Sequence, residues 1–303
     1  MADQPCGFLV LDKPAGLSSH ACVARVRRAY GLRRVGHGGT LDPAVTGVLP
    51  IALGHATRLL PYLPGDKAYR GTVQLGITTS SDDLEGEVLS RRALPDLDTG
   101  VLAAALAPFR GPILQVPPQI SAVHVDGQRA YVRARRGEDL TLAARPVTIH
   151  SLELLGWDPV TGRLELALRC SAGTYVRSLA RDLGEALGCG GTLAQLRRTE
   201  ALGFDLERAL TLESLASAPP PALLDPLLPL ADLPRHRLDP GEWAGWRCGR
   251  APGLPAALAH LEAATPVVIL APDGNLAGMA RTAPGATPPE GQLQPRLVLG
   301  AAG

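Results

Sequence analysis

Gly36-His37-Gly38-Gly39-Thr40-Leu41-Asp42-Pro43-Ala44-Val45-Thr46-Gly47-Val48-Leu49-Pro50 carries one carboxylate, Asp42, between a cluster of glycines and a proline. Glycine lets a backbone turn sharply and approach a ligand closely, and proline fixes the residue after Asp42. The segment is therefore built to hold a single carboxylate rigidly in front of something large. Asp-Pro also starts helices and turns, with Asp as N-cap and Pro at the first helical position. Taken by themselves, these two residues favour the cap, and the remainder of the chain has to shift that balance.

The chain has 303 residues, more than one ordinary core holds, so two domains are expected. Net charge is +1, which excludes a polycation acting on nucleic acid through bulk charge. Lys13 and Lys67 are the only lysines, and arginine clusters instead at two places. Arg25, Arg27, Arg28, Arg33 and Arg34 precede the glycine turn, and Arg129, Arg133, Arg135 and Arg136 form a second group. Such patches neutralise phosphates even when net charge is near zero, although each by itself equally suits a solvated helix face. Cys6, Cys22, Cys170, Cys189 and Cys248 are odd in number and form no CxxC pair, which fits a reducing cytoplasm and argues against a disulfide framework or thiolate zinc site. The apolar run Phe8 to Leu11 is too short for a signal peptide, and no segment is long enough to span a bilayer.

Hydrophobic periodicity gives the elements. Gly7 to Leu11 reads as a buried strand, followed by a helix capped by Ser18 or Ser19 and stopped at Gly31. Asp42 falls in irregular chain. Tyr69 to Ile77 alternates, with Tyr69, Val73, Leu75 and Ile77 on one face. Asp96 to Leu106 reads as a helix, and Val147 to Leu154 and Leu164 to Cys170 as two strands. Thr174 to Leu187 is the clearest helix: Thr174 can cap it, Gly188 stops it, and Arg177 in its first turn need not join the buried stripe. Residues 216–230, with Ser217 and Pro219-Pro220-Pro221, read as a connecting arm. Pro266 to Ala271, Leu276 to Ala280 and Leu297 to Leu299 read as strands of a small β-rich domain. Strands and helices mix without regular βαβ spacing, which predicts an α+β fold with a largely antiparallel sheet. The domain boundaries are placed at 1–230 and 231–303.

Two glycine turns invite nucleotide readings, and neither holds. Gly36/Gly38 and Gly188/Gly190 each lack the third glycine and the phosphate-loop lysine, and no GxSxG elbow or HExxH occurs. No nucleotide, cofactor or metal is therefore expected.

Four segments remain: Leu11 to Ser19; the segment around Asp42; Asp66-Lys67-Ala68-Tyr69-Arg70-Gly71 running on to Asp83 and Gly86; and Cys170-Ser171-Ala172-Gly173-Thr174-Tyr175-Val176-Arg177, continued by Leu196-Arg197-Arg198-Thr199. In this order they resemble the bacterial tRNA pseudouridine-55 synthases, the TruB family, from about Gly7 to about Thr199. The resemblance implies a pseudouridine synthase-like catalytic domain and a small PUA-like RNA-binding domain at the C-terminus. It implies a cofactor-free isomerase in the cytoplasm, acting as a monomer on the T-arm stem-loop of tRNA with base flipping and no membrane partner.

The resemblance also implies roles. Asp42 is the catalytic carboxylate and Arg177 its cationic partner. Tyr69 stacks on the target uracil and takes up its proton late in the reaction. His37 reaches into the RNA loop, Tyr175 and Leu196 line the uracil pocket, Asp83 contacts RNA, and Lys13 is structural or near the substrate. Each residue also has a plainer reading: a cap for Asp42, a surface helix arginine for Arg177, a core aromatic for Tyr69, a turn residue for His37, core residues for Tyr175 and Leu196. The chain departs from the family at Ser80, where an aspartate is usual, and at His124, where a lysine is usual. Rival readings are an RNA-binding or chaperone protein without essential catalysis, and a nucleoside or glycoside hydrolase with paired carboxylates.

Overall fold

The computed structural model describes residues 5–121, 123–125, 127–134, 136–138, 140–216, 218–285 and 291–299. Arg135 of the second arginine cluster and Ser217 of the proline arm lie outside them.

Strand β1 (Gly7–Lys13) is buried almost throughout. Helix α1 (Ser19–Tyr30) starts where Ser18 accepts from the Ala21 N–H and ends at Gly31, left-handed at φ 61°. β2 (Val35–His37) and β3 (Thr46–Leu53) flank the Asp42 loop. β4 (Lys67–Leu75) leads into a small hairpin, β5 (Ile77–Thr79) and β6 (Val88–Arg91). α2 (Thr99–Leu106), capped by Asp98, precedes β7 (Gly111–Gln115). A second small hairpin, β8 (His124–Val125) and β9 (Gln128–Arg129), runs into the short α3 (Ala130–Ala134). The long hairpin β10 (Arg145–Asp158) and β11 (Arg163–Cys170) then leads to α4 (Val176–Ala186), β12 (Gly191–Ala201) and β13 (Phe204–Asp205). After the arm come β14 (Arg235–Arg237), α5 (Pro240–Arg247), β15 (Pro266–Leu270), β16 (Leu276–Pro284) and β17 (Gly291–Val298).

The main sheet runs β1-β3-β12-β4-β11-β10-β7, with β2 added on β3 and β13 on β12. Every pairing in it is antiparallel except β3 with β12, which is parallel and joins Thr46 to Arg197 and Gly47 to Arg198. This is the mixed, largely antiparallel α+β architecture that the intermixed strands and helices predict. Gly47 makes the parallel contact possible: its φ is 102°, and a Cβ there would lie 2.1 Å from the Arg198 carbonyl oxygen. That close approach brings the Asp42 loop and β12 together.

α2 and α4 cover one face, where Leu102, Leu106, Leu179 and Leu183 meet Val73, Leu164, Leu166 and Leu168. α1 packs on β1 and β3 through Cys22, Val23 and Val26. The four-stranded sheet β14-β15-β16-β17 shares a core with β1 and β3, since Val268, Leu270, Met279 and Leu297 pack with Phe8, Val10 and Val48. The proline arm is no loose tether: Phe8 and Leu224 exchange two backbone hydrogen bonds, and Leu210 bonds to Val10 and Asp12. It thereby covers the open edge of β1.

Two expectations need correction, and two strands lie outside the sequence reading. Thr174 does not cap α4; Tyr175 occupies the N-cap without a side-chain cap bond, and Gln115 takes over by bonding both the Tyr175 N–H and carbonyl. The strand expected to run through Ile77 stops at Leu75, because Gly76 turns at φ 83° and Ile77 opens the next hairpin. β3 and β12 went unread as strands. Gly47 and Pro50 disguise the first, and a register shift between Leu193 and Gln195 breaks the alternation of the second.

Candidate active site

Asp42 is not a helix cap. Its carbonyl closes a single turn to the Val45 N–H, and the chain then enters β3. The loop is held from behind by Lys13, whose Nζ donates to the carbonyls of Pro14 (2.8 Å), Leu17 (2.7 Å) and Pro43 (3.0 Å). Lys13 is 0% exposed, and its three donors are taken. Of the two parts open to it, structural or near the substrate, its hydrogen bonds fit the structural one: it fixes the peptide next to Asp42. Burial depresses its pKa.

Arg177 comes from the first turn of α4, buried rather than on the surface. Its Nη2 lies 3.1 Å from Asp42 Oδ2 and donates to the Ile120 carbonyl, while Nη1 donates to the Ser81 carbonyl and lies 3.4 Å from Asp83 Oδ2. The guanidinium side chain is 10% exposed and the Asp42 side chain 47%. A rigid cation thus faces a carboxylate that opens to solvent. One turn on, at the i+4 spacing that puts two side chains on one helix face, Arg181 pairs with Asp82 and Asp182. The two arginines grip the turn at residues 81–83, where Asp82 sits at φ 60°. Burial raises the Asp82 pKa against the opposing pull of Arg181. Arg181 and Asp82 were missed in the sequence, although Arg177-x-x-x-Arg181 and Asp82-Asp83 were there to be read.

Asp83 is expected to contact RNA, but its carboxylate accepts from Ser81 Oγ (2.5 Å) and the Glu85 N–H (3.1 Å) and faces Arg177. It serves the turn and the guanidinium. Ser80, the departure beside it, accepts from the Glu87 N–H and closes the same hairpin.

Asp42 and Arg177 lie at a cleft of about 630 Å³ whose walls include Asp83, Thr72, Leu166 and Leu196. Tyr69 is 8% exposed, on β4 between Leu168 of β11 and Arg198 of β12, and belongs to the core cluster rather than to the residues that line the cleft. Arg198 stands directly opposite Tyr69 on β12, and the charges of Arg198 and Asp42 both act on the phenol. Burial raises the Tyr69 pKa, opposed by the Arg198 charge. Tyr175 also stands outside the cleft wall. His37 lies edge-on to His20, ring centres 5.3 Å apart, and its buried Nδ1 has no hydrogen-bond partner. Burial, then His20 and Arg198, depress its pKa, so the imidazole is held neutral. The structure therefore brings Asp42, Arg177, Asp83 and Leu196 to one cleft and leaves Tyr69 behind it and His37 and Tyr175 off its wall.

Of the first arginine cluster, Arg25, Arg28 and Arg33 are exposed, while Arg27 donates to the Val35 carbonyl. In the second, Arg133 pairs with Glu138 and Arg136 reaches Gln128. His124 is exposed on β8.

The fold is the α+β pseudouridine synthase fold. A solved structure titled as a Cbf5-Nop10-Gar1 complex superposes with TM-score 0.74 at 25% identity, covering 97% of this chain and 85% of that one. Residues 27–176 match the TruB family pseudouridylate synthase N-terminal domain, and 177–229 match the tRNA pseudouridylate synthase B C-terminal domain. The tRNA pseudouridine synthase B of Parasynechococcus marenigrum (strain WH8102) is 61% identical over 301 residues, covering 99% of this chain and 100% of the relative. The same-named protein of Synechococcus sp. (strain WH7803) is 57% identical, with 99% of each chain covered. The chain belongs to the TruB family of pseudouridylate synthases.

Proposed function

We propose that the protein isomerises uridine to pseudouridine at position 55 in the T-arm loop of tRNA, with Asp42 as the catalytic carboxylate. The observation that carries this reading is the 3.1 Å pair between Asp42 and the buried Arg177 at the edge of an open cleft. Isomerisation breaks the ribose–uracil bond, turns the base and rejoins it through carbon, without net redox change or energy input. Asp42 acts at the sugar or base with Arg177 holding its orientation and charge. Tyr69 takes up the proton from C5 of the rejoined base. The target nucleotide reaches the cleft only out of its stack, at a cost of a few kcal/mol that remote phosphate contacts offset.

In the same reading residues 1–230 form the catalytic domain and 231–303 a small PUA-like RNA-binding domain, and the protein works as a cytoplasmic monomer. Mapping pseudouridine in a tRNA transcript incubated with the purified protein tests the assignment. Modification confined to position 55 is expected, and modification elsewhere or release of free uracil overturns it.

A further inference from the structure

Arg198 is a buried cation near the site that the reaction has not used. It is 1% exposed, on β12 opposite Tyr69 of β4. Its Nε donates to the Val48 carbonyl at 2.7 Å and its Nη2 to the Gly39 carbonyl at 3.1 Å. Among the described residues no carboxylate forms an ion pair with it. Arg198 and Tyr69 stand directly opposite each other on β12 and β4; a guanidinium has only donors, so toward the Tyr69 phenol it can act only as donor, with the phenol oxygen as acceptor. Gly39, whose φ of 111° favours glycine, lies beside Arg198 Nη1 and Lys67 Cε, which stand at ordinary contact distance, 3.5 and 3.4 Å, from where a Cβ would sit. A buried cation without an anion is costly, and the group opposite it able to become one is the Tyr69 phenol.

We propose that Arg198 is the positioning residue for Tyr69, fixing the phenol oxygen as acceptor and serving as counter-ion when that oxygen is a phenolate. The inference rests on the proposed role of Tyr69. In the proton-transfer step the phenolate forms its O–H bond as the C5–H bond of the rejoined base breaks. That electron pair passes through the ring to N1, which takes a proton from solvent, and the phenol later returns its proton to solvent. Arg198 lowers the cost of the charged form before each turnover. Other groups facing Tyr69 are Cys170 on β11 and Asp42, which Arg177 pairs. Those facing Arg198 are Lys13 on β1, His37 on β2 and Lys67 on β4, all bases. No other anion supplies the same compensation among these groups.

Single-turnover pseudouridine formation on a tRNA transcript between about pH 6 and 10 tests this, with tRNA affinity measured separately. Arg198→Met should slow the step about 100-fold at neutral pH, and its rate should recover as pH rises, because a phenol without its counter-ion ionises later. Arg198→Lys should restore most of the rate, and tRNA affinity should stay within about threefold of the unsubstituted protein. In a Tyr69→Phe background, followed over long incubations, Arg198→Lys should cost nothing further, since it acts through Tyr69. Equal losses for Met and Lys at every pH, an undiminished Arg198→Lys effect without the phenol, or a loss confined to tRNA affinity each overturns the inference. If Arg198→Met does not fold, Arg198→Lys with and without Tyr69→Phe decides it. Full activity in Tyr69→Phe alone would instead remove the role of Tyr69, a separate failure.

Discussion

The two sides of the candidate site solve the burial of an arginine in opposite ways. At the front, Arg177 meets Asp42, Asp83 and two backbone carbonyls, and its charge is answered by carboxylates. At the back, Arg198 is more deeply buried, donates to two backbone carbonyls and stands opposite the Tyr69 phenol, and among the described residues no carboxylate pairs with it. The front is a paired site in which one partner stays wet, so it tolerates solvent and can open to a ligand. The back is sealed, so its charge acts at short range through a poorly screening medium. Chemistry that needs a ready carboxylate belongs to the first setting, and chemistry that needs an unusual ionisation belongs to the second.

Removing the anion of the front pair gives the largest expected effect. Asp42→Asn keeps the shape of the loop and abolishes the charge, so pseudouridine formation in a tritium-release assay should fall about 10⁴-fold or more, as when a sole nucleophile or base is lost. tRNA binding should survive. Substantial turnover in this variant would mean that the paired front is scaffolding and that the contrast with the back says nothing about chemistry.

Removing the cation is the second step. Arg177→Gln leaves Asp42 half exposed and able to find water, which limits the electrostatic part of the loss. It also strips the Ser81 and Ile120 carbonyls and Asp83 of a buried donor. A rate loss of about 100-fold, with a modest loss of stability, follows from losing charge-assisted hydrogen bonds of this kind. A fall in thermal stability without a change in rate would place Arg177 with the fold alone.

Much of the front is legible in the sequence because its pieces are compact motifs. Asp42 stands alone in a glycine-rich run, and Arg177 follows Gly173-Thr174-Tyr175 on a strongly periodic helix. The periodicity of Tyr69 to Leu75 and of Leu164 to Cys170 likewise gives two neighbouring strands of the sheet. The back is not legible in the same way. Arg198 gains its surroundings from the parallel contact of β3 with β12, which rests on Gly47 being a glycine, and from Gly39, far away in sequence. Gly47 does not announce that the backbone of Arg198 will close against it, nor Gly39 which side chains will lie beside it. Lys13 shows the same limit: the sequence leaves it structural or near the substrate, and only the three converging carbonyls identify it as a staple.

That staple gives the third test. Lys13→Met removes three hydrogen bonds from a buried cation and should lower stability by about 3 kcal/mol, read as a drop in Tm. The affinity of the folded fraction for tRNA should change little, since the side chain is sealed from solvent. Weakened tRNA binding at unchanged Tm would return Lys13 to the substrate side.

The smallest effect comes from His37, which lies at the margin between the two settings, beside exposed His20 and within reach of the Arg198 charge. Its folded pKa is depressed, mainly by burial, so as pH falls below the ordinary histidine value near 6.5 the unfolded chain takes up a proton before the folded one does. Protons bound by the unfolded state in excess make stability fall with falling pH. The contribution of His37 is therefore present above about pH 6.5 and is lost progressively below it as the folded pKa is approached. His37→Gln cannot titrate, so its Tm should decline less between neutral and mildly acidic pH. Parallel Tm curves would show that the burial of His37 carries no proton linkage, and that the positive field of the back side ends short of β2.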